Sequence, residues 1–249
     1  MTEPSYDDRR LSFGSSAARY DEQRPGYPAY ALVWGLHGAT RTVRDVADVG
    51  AGTGLLTRSL VDLGLDVRAY EPDAGMLEQL GAALPDVPRA QAPAESLPLP
   101  DASVDAVTAA QAWHWFDAPA AAAEFTRVLR PGGVLVLVWN TRDTRVPWMD
   151  ALSDIVDGGD SFRSNRTEAF EAIDAVHPGV VRADIPHTVL MTPEQVVGLI
   201  STYSYVYLRE DADDLYAAVR ELMATHPQTR GRALVEFPYV TATYRWVRP

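Results

Sequence analysis

The sequence contains neither cysteine nor lysine, and each absence excludes a kind of chemistry. Without cysteine the chain can form no disulfide, no thiolate metal site and no cysteine nucleophile. All 22 basic residues are arginine, so lysine Schiff bases, a pyridoxal-phosphate anchor and a P-loop lysine are excluded as well. No cluster of histidines and carboxylates has a spacing typical of metal ligands, and we expect no metal site.

The chain is also poor in positive charge and in long apolar stretches. Its formal net charge of −12 argues against a nucleic-acid partner, because a phosphate backbone requires a basic surface. No stretch approaches the roughly 18–20 apolar residues of a membrane span, and the opening MTEPSYDDRR lacks an apolar signal core. We therefore expect a soluble, cytoplasmic protein with no nucleic-acid or membrane partner. The sequence does not indicate an oligomeric state.

Apolar runs and helical patterns alternate along most of the chain. Strands are predicted at about 45–49, 66–71, 88–91, 103–109, 133–139, 181–190 and 233–247. Helices are predicted at about 28–36, 53–63, 73–83, 118–129, 147–156, 166–175, 193–201 and 211–225. Such alternation implies right-handed crossovers and a parallel sheet. The predicted fold is an α/β, Rossmann-like, mostly parallel seven-stranded sheet with helices on both faces.

A glycine-rich turn follows the first predicted strand, in the segment VADVGAGTG. Gly50 begins a G-x-G-x-G pattern, which brings backbone N–H groups close to a ligand at the start of a helix. Asp48 precedes the glycines, and Glu71 ends the next strand about 20 residues later, where an acid can bind a ribose. The pattern predicts a ligand that contains a nucleoside. A nicotinamide dinucleotide would require G-x-G-x-x-G, but Leu55 occupies the last glycine position, which argues against a dehydrogenase.

This Asp-x-Gly-x-Gly-x-Gly loop resembles that of class I S-adenosylmethionine (SAM) methyltransferases. Three further segments are similar to the trans-aconitate-methyltransferase-like group, which acts on small molecules: FGSSAARYDEQRPGYP from Phe13, AESLPL from Ala94 and QAWHWFD from Gln111. The resemblance covers roughly residues 10–140 and, more weakly, the last strand. It implies one domain over residues 1–249, with an N-terminal lid helix at 10–27. An inserted helical cap is expected at about 142–230.

The resemblance also implies which residues bind the cofactor. The glycine loop would hold the methionine end of SAM, Glu71 would accept hydrogen bonds from both ribose hydroxyls, and residues after the second, third and fourth strands would contact the adenine or the pocket wall. The full set of expected cofactor contacts is Tyr20, Arg24, Asp48, Gly50, Ala51, Gly52, Thr53, Glu71, Pro72, Met76, Ala94, Glu95, Gln111 and Ala112. One departure from the family pattern is Pro93, where many relatives carry a polar residue that binds the adenine amino group.

The segment after the fourth strand contains the candidate catalytic group. His114 follows that strand, at the sheet edge where open α/β folds bind ligands, and its unperturbed pKa suits proton transfer near neutrality. A purely structural role between the neighbouring tryptophans is the alternative. Candidate acceptor-binding residues are Trp113, Trp115, Phe116, Trp139 and Asn140, with core packing as the alternative for the aromatic ones.

Together these observations predict methyl transfer from SAM to a small-molecule acceptor by in-line displacement. Oxygen, nitrogen and carbon acceptors all remain open, and family analogy alone favours oxygen. Alternatives are a SAM-binding enzyme that catalyses a non-methyl reaction such as a cyclisation, a nicotinamide-dependent dehydrogenase and a SAM-binding protein without catalysis.

Overall fold

A computed structural model describes residues 24–157, 173–207 and 209–249, without the side chains of residues 204 and 207. The helices are α1 (Ala29–Leu36), α2 (Leu55–Asp62), α3 (Ala74–Ala83), α4 (Ala118–Val128), α5 (Pro147–Asp157), α6 (Pro193–Ser201), α7 (Ser204–Tyr207) and α8 (Ala212–Thr225), with a 3₁₀ turn at Trp113–Trp115. The strands are β1 (Asp45–Val49), β2 (Asp66–Tyr70), β3 (Arg89–Ala90), β4 (Val104–Ala110), β5 (Leu129–Arg142), β6 (Val181–Met191) and β7 (Val235–Val247).

The strands form one seven-stranded sheet in the order β3-β2-β1-β4-β5-β7-β6. Neighbouring strands from β3 to β5 pair in parallel, whereas β7 is antiparallel to both β5 and β6. The predicted mostly parallel, Rossmann-like sheet is therefore confirmed. The strand order reverses between β1 and β4, and a crevice at the carboxyl ends of these strands is the expected ligand site.

Both faces of the sheet are covered, since consecutive positions of β1, β4 and the central part of β5 are buried. On one face, Phe125 of α4 packs with strand residues such as Val107 and Leu135 in a buried cluster. On the other face, Leu32 and Leu56 of α1 and α2 pack with the opposite side of the same strands. Helices therefore lie on both faces, as predicted.

Several predicted boundaries differ from those observed. Helix α2 starts at Leu55 rather than at 53, because Gly54 is left-handed at φ +94° and ends the loop. Strand β5 begins at Leu129 instead of 133. Leu129 already pairs with Val104 of β4, and the register between the two strands shifts before Ala106 pairs with Val134. Residues 24–28, at the end of the predicted lid helix 10–27, are not helical, and the rest of that segment lies outside the described residues.

The last three strands of the sheet continue beyond the carboxyl end of β4. Ala110 pairs with Val138, while β5 runs on to Arg142, which pairs with Tyr239 of β7. Helices α5, α6 and α8 pack around this extension in a separate buried cluster that includes Phe237. Strand β6 lies within the segment 142–230 that the resemblance assigns to a cap, and most of the predicted helix 166–175 lies outside the described residues.

Candidate cofactor site

The glycine loop passes close to the residue that follows β4. Gly50 has φ +65°, and a Cβ atom there would lie 2.7 Å from the Cβ of Ala112. The loop is closed by two backbone hydrogen bonds, from the N–H of Ala51 to the carbonyl of Tyr70 at 3.1 Å and from the N–H of Gly54 to the carbonyl of Ala51 at 2.9 Å. Glycine at position 50 is thus required both by the backbone conformation and by the space.

Asp48 is completely buried beneath the loop. Its carboxylate accepts hydrogen bonds from the hydroxyls of Thr57 in α2, at 2.6 Å, and Thr108 in β4, at 2.9 Å. Desolvation by burial raises the pKa of Asp48 to about 7, against the lowering effect of the two hydroxyls. Asp48 does not line the cavity described below, so its expected cofactor contact is corrected: it joins β1, α2 and β4.

Glu71, at the carboxyl end of β2, is oriented by two backbone N–H groups. The N–H of Gly52 donates to Oε2 and that of Asp73 donates to Oε1, both at 2.9 Å. The side chain of Asp73 in turn accepts from the N–H of Met76 at 2.9 Å and caps α3. A carboxylate oxygen can accept more than one hydrogen bond, so this arrangement presents the carboxylate of Glu71 to a ligand in a defined orientation.

These elements border an open cavity of about 660 Å³, counting the space that opens to solvent. The β1 and β2 side of the cavity is lined by Gly50, Gly52, Glu71, Pro72 and Met76. The structure therefore brings together the central residues of the predicted cofactor site.

The opposite walls of the cavity come from the chain on either side of β4. Before the strand they are Pro93, Ala94 and Glu95, and after it Ala110, Gln111, Ala112, Trp115 and Phe116. Pro93 and Ala110 were missed in the expected site. Ala110 is the last residue of β4, so the rule that ligands bind at the carboxyl ends of strands could have identified it.

Two of these lining residues also hold the surrounding loops in place. Glu95 accepts a hydrogen bond from the N–H of Asp117 at 2.8 Å, which ties the loop before β4 to the start of α4. Gln111 adopts a left-handed conformation at φ +54°, uncommon for a residue other than glycine. Its N–H donates to the carbonyl of Val138 at 2.9 Å, and its side-chain amide donates to the carbonyl of Asn140 at 3.0 Å.

The tryptophans after β4 have different environments. Trp113 is 4% exposed and belongs to the core, with its ring centroid 6.1 Å from Phe116 and 6.3 Å from Phe125. Its expected acceptor contact is corrected, because the 3₁₀ turn directs Trp113 inward and leaves Trp115 at the cavity. Trp139 also packs away from the cavity, with its ring 5.4 Å from that of Tyr244.

His114 is exposed and does not line the cavity. Its ring lies 4.8 Å from that of Trp115. The catalytic role expected from the sequence is therefore not supported by a position at the cavity wall.

Asn140 and Arg24 make structural contacts beside the cavity rather than within it. Asn140 accepts from the hydroxyl of Thr241 at 2.7 Å and donates to the carbonyl of Gly26 at 3.1 Å. Arg24 donates to the hydroxyl and the carbonyl of Thr202 at 3.2 and 3.3 Å. The expected contacts of Arg24 with the cofactor and of Asn140 with the acceptor stay predictions.

Two further expected cofactor contacts do not appear in the cavity lining. Ala51 and Thr53 are 7% and 1% exposed and pack within the loop, so the loop approaches the cavity through its glycines. Tyr20 lies outside the described residues. Within the part of the chain that the structure describes, no group of three or more potential metal ligands is assembled, and no helix is long and apolar enough to cross a membrane.

A buried ion pair in the extended part of the sheet was not predicted. Arg142, at the end of β5, pairs with Asp157 of α5 at 2.5 Å, and both side chains are less than a tenth exposed. Arg142 also donates to Ser153 at 2.9 Å, and the hydroxyl of Tyr205 donates to Asp157 at 3.2 Å. This pair links the extended part of the sheet to α5 and α7.

The sheet order, the glycine loop and the ribose-type acid define an α/β protein with a nucleoside-cofactor site. Comparison with known proteins is consistent with that class. The family model described as "Methyltransferase domain" matches residues 47–137. An uncharacterized methyltransferase of Mycobacterium tuberculosis is 43% identical over 246 residues, which cover 96% of each chain. The chain therefore belongs to the methyltransferase family and is a SAM-dependent methyltransferase.

Solved structures share the same fold. A proposed type II methyltransferase of Anaeromyxobacter dehalogenans matches with a TM-score of 0.70 and 28% identity, over 90% of this chain and 97% of that one. A phosphoethanolamine N-methyltransferase of Haemonchus contortus, solved with S-adenosylhomocysteine, has a TM-score of 0.57 and 16% identity, over 100% of this chain and 60% of that one. The (4+2)-cyclase SpnF has a TM-score of 0.56 and 16% identity, over 100% of this chain and 98% of that one. The last two show the fold alone.

Proposed function

We propose that the cavity at the carboxyl ends of β1, β2 and β4 binds SAM and that the protein methylates a small-molecule acceptor, with oxygen the favoured nucleophile. The orientation of Glu71 carries the proposal. Its carboxylate is fixed by the N–H groups of Gly52 and Asp73 and borders the cavity. A carboxylate presented in this way suits a ribose diol, whose two hydroxyls are both donors.

The remaining walls fit the other parts of the cofactor. Apolar surface in the cavity, which would suit the adenine ring, comes from Pro72, Met76, Pro93 and Ala94. At Gly50 the backbone forms part of the wall itself, where any side chain would collide with Ala112. The resemblance implies that the methionine end lies along this loop.

The chemistry requires little from the protein beyond positioning. When bound, SAM supplies a methyl group activated by the positive charge of its sulfonium. Trp115 and Phe116 line the same cavity, and aromatic faces favour a cation. Holding the acceptor in line is the main contribution of the other walls, since displacement needs close and aligned contact. Preference for oxygen rests on the family analogy.

Calorimetric titration with S-adenosylhomocysteine tests the cofactor assignment. In a Glu71→Gln variant the two backbone donors and the ribose lose a charged acceptor, and we expect binding to weaken about 10- to 100-fold. Glu78→Gln, an exposed substitution on α3, is the matched control and should bind like the wild-type protein. Absence of binding by the wild-type protein, or equal binding by both variants, would contradict the proposed site.

A non-methyl reaction in the same cavity is a second candidate, because a (4+2)-cyclase has the same fold. The two reactions differ in their products. Methyl transfer releases S-adenosylhomocysteine in proportion to product, whereas a cyclisation leaves SAM unchanged. Mass-spectrometric quantification of S-adenosylhomocysteine during turnover separates them.

A further inference from the structure

Gln111, the residue that follows β4, combines a strained backbone with a position in the cavity wall. Its φ of +54° lies in the left-handed region, which a residue with a Cβ atom adopts only at a cost in free energy. The glycines of the nearby loop, Gly50, Gly52 and Gly54, also have positive φ, but glycine adopts this conformation without strain. Strain of this kind persists where the surrounding structure enforces it, and it is concentrated at functional sites.

Two hydrogen bonds to β5 enforce the conformation of Gln111. Its backbone N–H donates to the carbonyl of Val138 at 2.9 Å, and its side-chain Nε2 donates to the carbonyl of Asn140 at 3.0 Å. Because a carbonyl can only accept, the second contact must be made by the NH₂ group of the amide and not by its oxygen. The orientation of the amide is therefore fixed, and the position of Oε1 is fixed with it.

The amide oxygen of Gln111 is open to a ligand. Within the described residues, Oε1 makes no hydrogen bond, and it does not belong to the buried polar atoms that lack a partner. It is thus an accessible atom of a residue that lines the cavity. An amide oxygen accepts hydrogen bonds and cannot donate them, so a ligand group that binds it must carry an N–H or an O–H.

Among the donor groups of SAM, the α-ammonium of the methionine end matches this position. The ribose hydroxyls are assigned to Glu71, and the adenine to the apolar walls after β2 and before β4. Ala112, the residue after Gln111, lies against the glycine loop, with its Cβ 2.7 Å from the place that a Cβ on Gly50 would take. Gln111 is therefore next to the loop that the proposed function assigns to the methionine end. The carboxylate of that end has no proton to donate.

We propose that Gln111 is a specificity-determining residue, whose Oε1 accepts a hydrogen bond from the α-ammonium of the bound cofactor. The inference rests on the proposed function, because it takes this cavity as the SAM site. The two bonds to β5 orient the acceptor atom, and the strained backbone is the cost of that orientation. Gln111 would thus distinguish SAM and S-adenosylhomocysteine from nucleosides that lack the amino-acid end. The competing role for Gln111 is that of a structural link between β4 and β5.

Calorimetric titration with S-adenosylhomocysteine and with methylthioadenosine separates the two roles. Methylthioadenosine keeps the adenine, the ribose and the sulfur atom but lacks the α-ammonium and the carboxylate. In Gln111→Ala we expect affinity for S-adenosylhomocysteine to fall about tenfold, and affinity for methylthioadenosine to change by less than about twofold. Gln111→Gly should show the same two results. It should also have a thermal midpoint about 2–4 °C above that of Gln111→Ala, because glycine relieves the strain.

Ala102→Gly is the matched control. Among the described residues other than glycine, only Ala102 shares the left-handed conformation, at φ +48°, and it is exposed and does not line the cavity. This variant should also gain about 2–4 °C in thermal midpoint over the wild-type protein, with both affinities unchanged.

Three results would overturn the proposal. An equal fall in affinity for both ligands would assign Gln111 to the structural link. Unchanged affinity for S-adenosylhomocysteine in both Gln111 variants would show that Oε1 does not meet the cofactor. A thermal midpoint of Gln111→Gly below that of Gln111→Ala would remove the strained backbone from the argument. Absence of S-adenosylhomocysteine binding by the wild-type protein would instead contradict the proposed function, and the inference with it.

Discussion

The backbone N–H of Gly52 donates to the carboxylate of Glu71 at 2.9 Å, so the glycine loop and the acid of the next strand form one unit. The two features stand 19 positions apart in the chain and meet at the edge of the sheet. A change in the loop backbone should therefore move the carboxylate of Glu71, and a substitution of Glu71 should alter the conformation of the loop. This coupling makes the loop glycines sensitive positions.

Gly50→Ala should weaken binding of S-adenosylhomocysteine by at least about tenfold. The new methyl would collide with Ala112, at 2.7 Å, and would hold the loop away from its present path. Gly64→Ala is the matched control: Gly64 also has a left-handed conformation, at φ +79°, but no atom lies within 4 Å of its Cβ position. Both variants should lose about 1–2 kcal/mol of unfolding free energy from backbone strain. Calorimetry should show an affinity loss in Gly50→Ala alone.

Asp48 should make the stability of the protein depend on pH. Its folded-state pKa of about 7 lies above the ordinary value of an unfolded aspartate, about 3.9. Between these values the folded state binds more protons than the unfolded state, so the unfolding free energy falls as pH rises from about 4 and levels off above about 7. The change is at most about 4 kcal/mol.

Denaturant titrations of the wild-type protein and Asp48→Asn from pH 4 to pH 8 measure this effect. The variant has no titrating group at this position, so the stability difference between the two proteins should shrink or reverse as pH rises. Asp62→Asn, on the exposed side of α2, should follow the wild-type curve. Parallel curves for wild type and Asp48→Asn would show that Asp48 is ionised throughout.

Trp113 and Trp115 should respond differently to truncation. Trp113→Ala removes a buried ring from the core and should cost about 3–5 kcal/mol of unfolding free energy. Trp115→Ala changes a cavity wall and should cost about 1 kcal/mol while reducing affinity for S-adenosylhomocysteine. Chemical denaturation and calorimetry on both variants check the assignment. Similar stability losses in the two would contradict the inward and outward orientations.

Asp157→Asn should be strongly destabilising, by about 3–5 kcal/mol, because it leaves the buried charge of Arg142 without its partner. Arg145 and Asp143 provide the comparison. That pair is 2.7 Å apart, but the arginine side chain is 75% exposed, so Arg145→Ala should cost less than about 1 kcal/mol. Thermal or denaturant unfolding gives both values, and a small effect at Asp157 would contradict the buried pair.

The sequence predicted the fold and several residues that line one cavity, because both depend on local patterns. The strand, glycine turn and helix around Gly50 are contiguous, and Glu71 ends the next strand. The same approach could not separate Trp113 from Trp115, because the motif alone does not determine how the 3₁₀ turn orients each ring. Arg24 illustrates a second limit, since its partner Thr202 is 178 positions away and no local pattern indicates such a contact.

The side chains of β6 and β7 present a third case. His187 showed no partner spacing in the sequence, and its contact with Thr241, which also donates to Asn140, exists only through the pairing of three strands. The register between neighbouring strands determines such networks. That register is defined only in the assembled sheet.

The separate apolar cluster around α5, α6 and α8 has a consequence for how this enzyme can change. Residues such as Val196 and Val219 pack there, apart from the clusters that support the glycine loop. Because additivity holds best for distant residues without shared partners, one region can be mutated extensively while the other keeps its shape. Substitutions confined to this cluster should thus change the stability of the extended part of the sheet while the glycine loop keeps its shape.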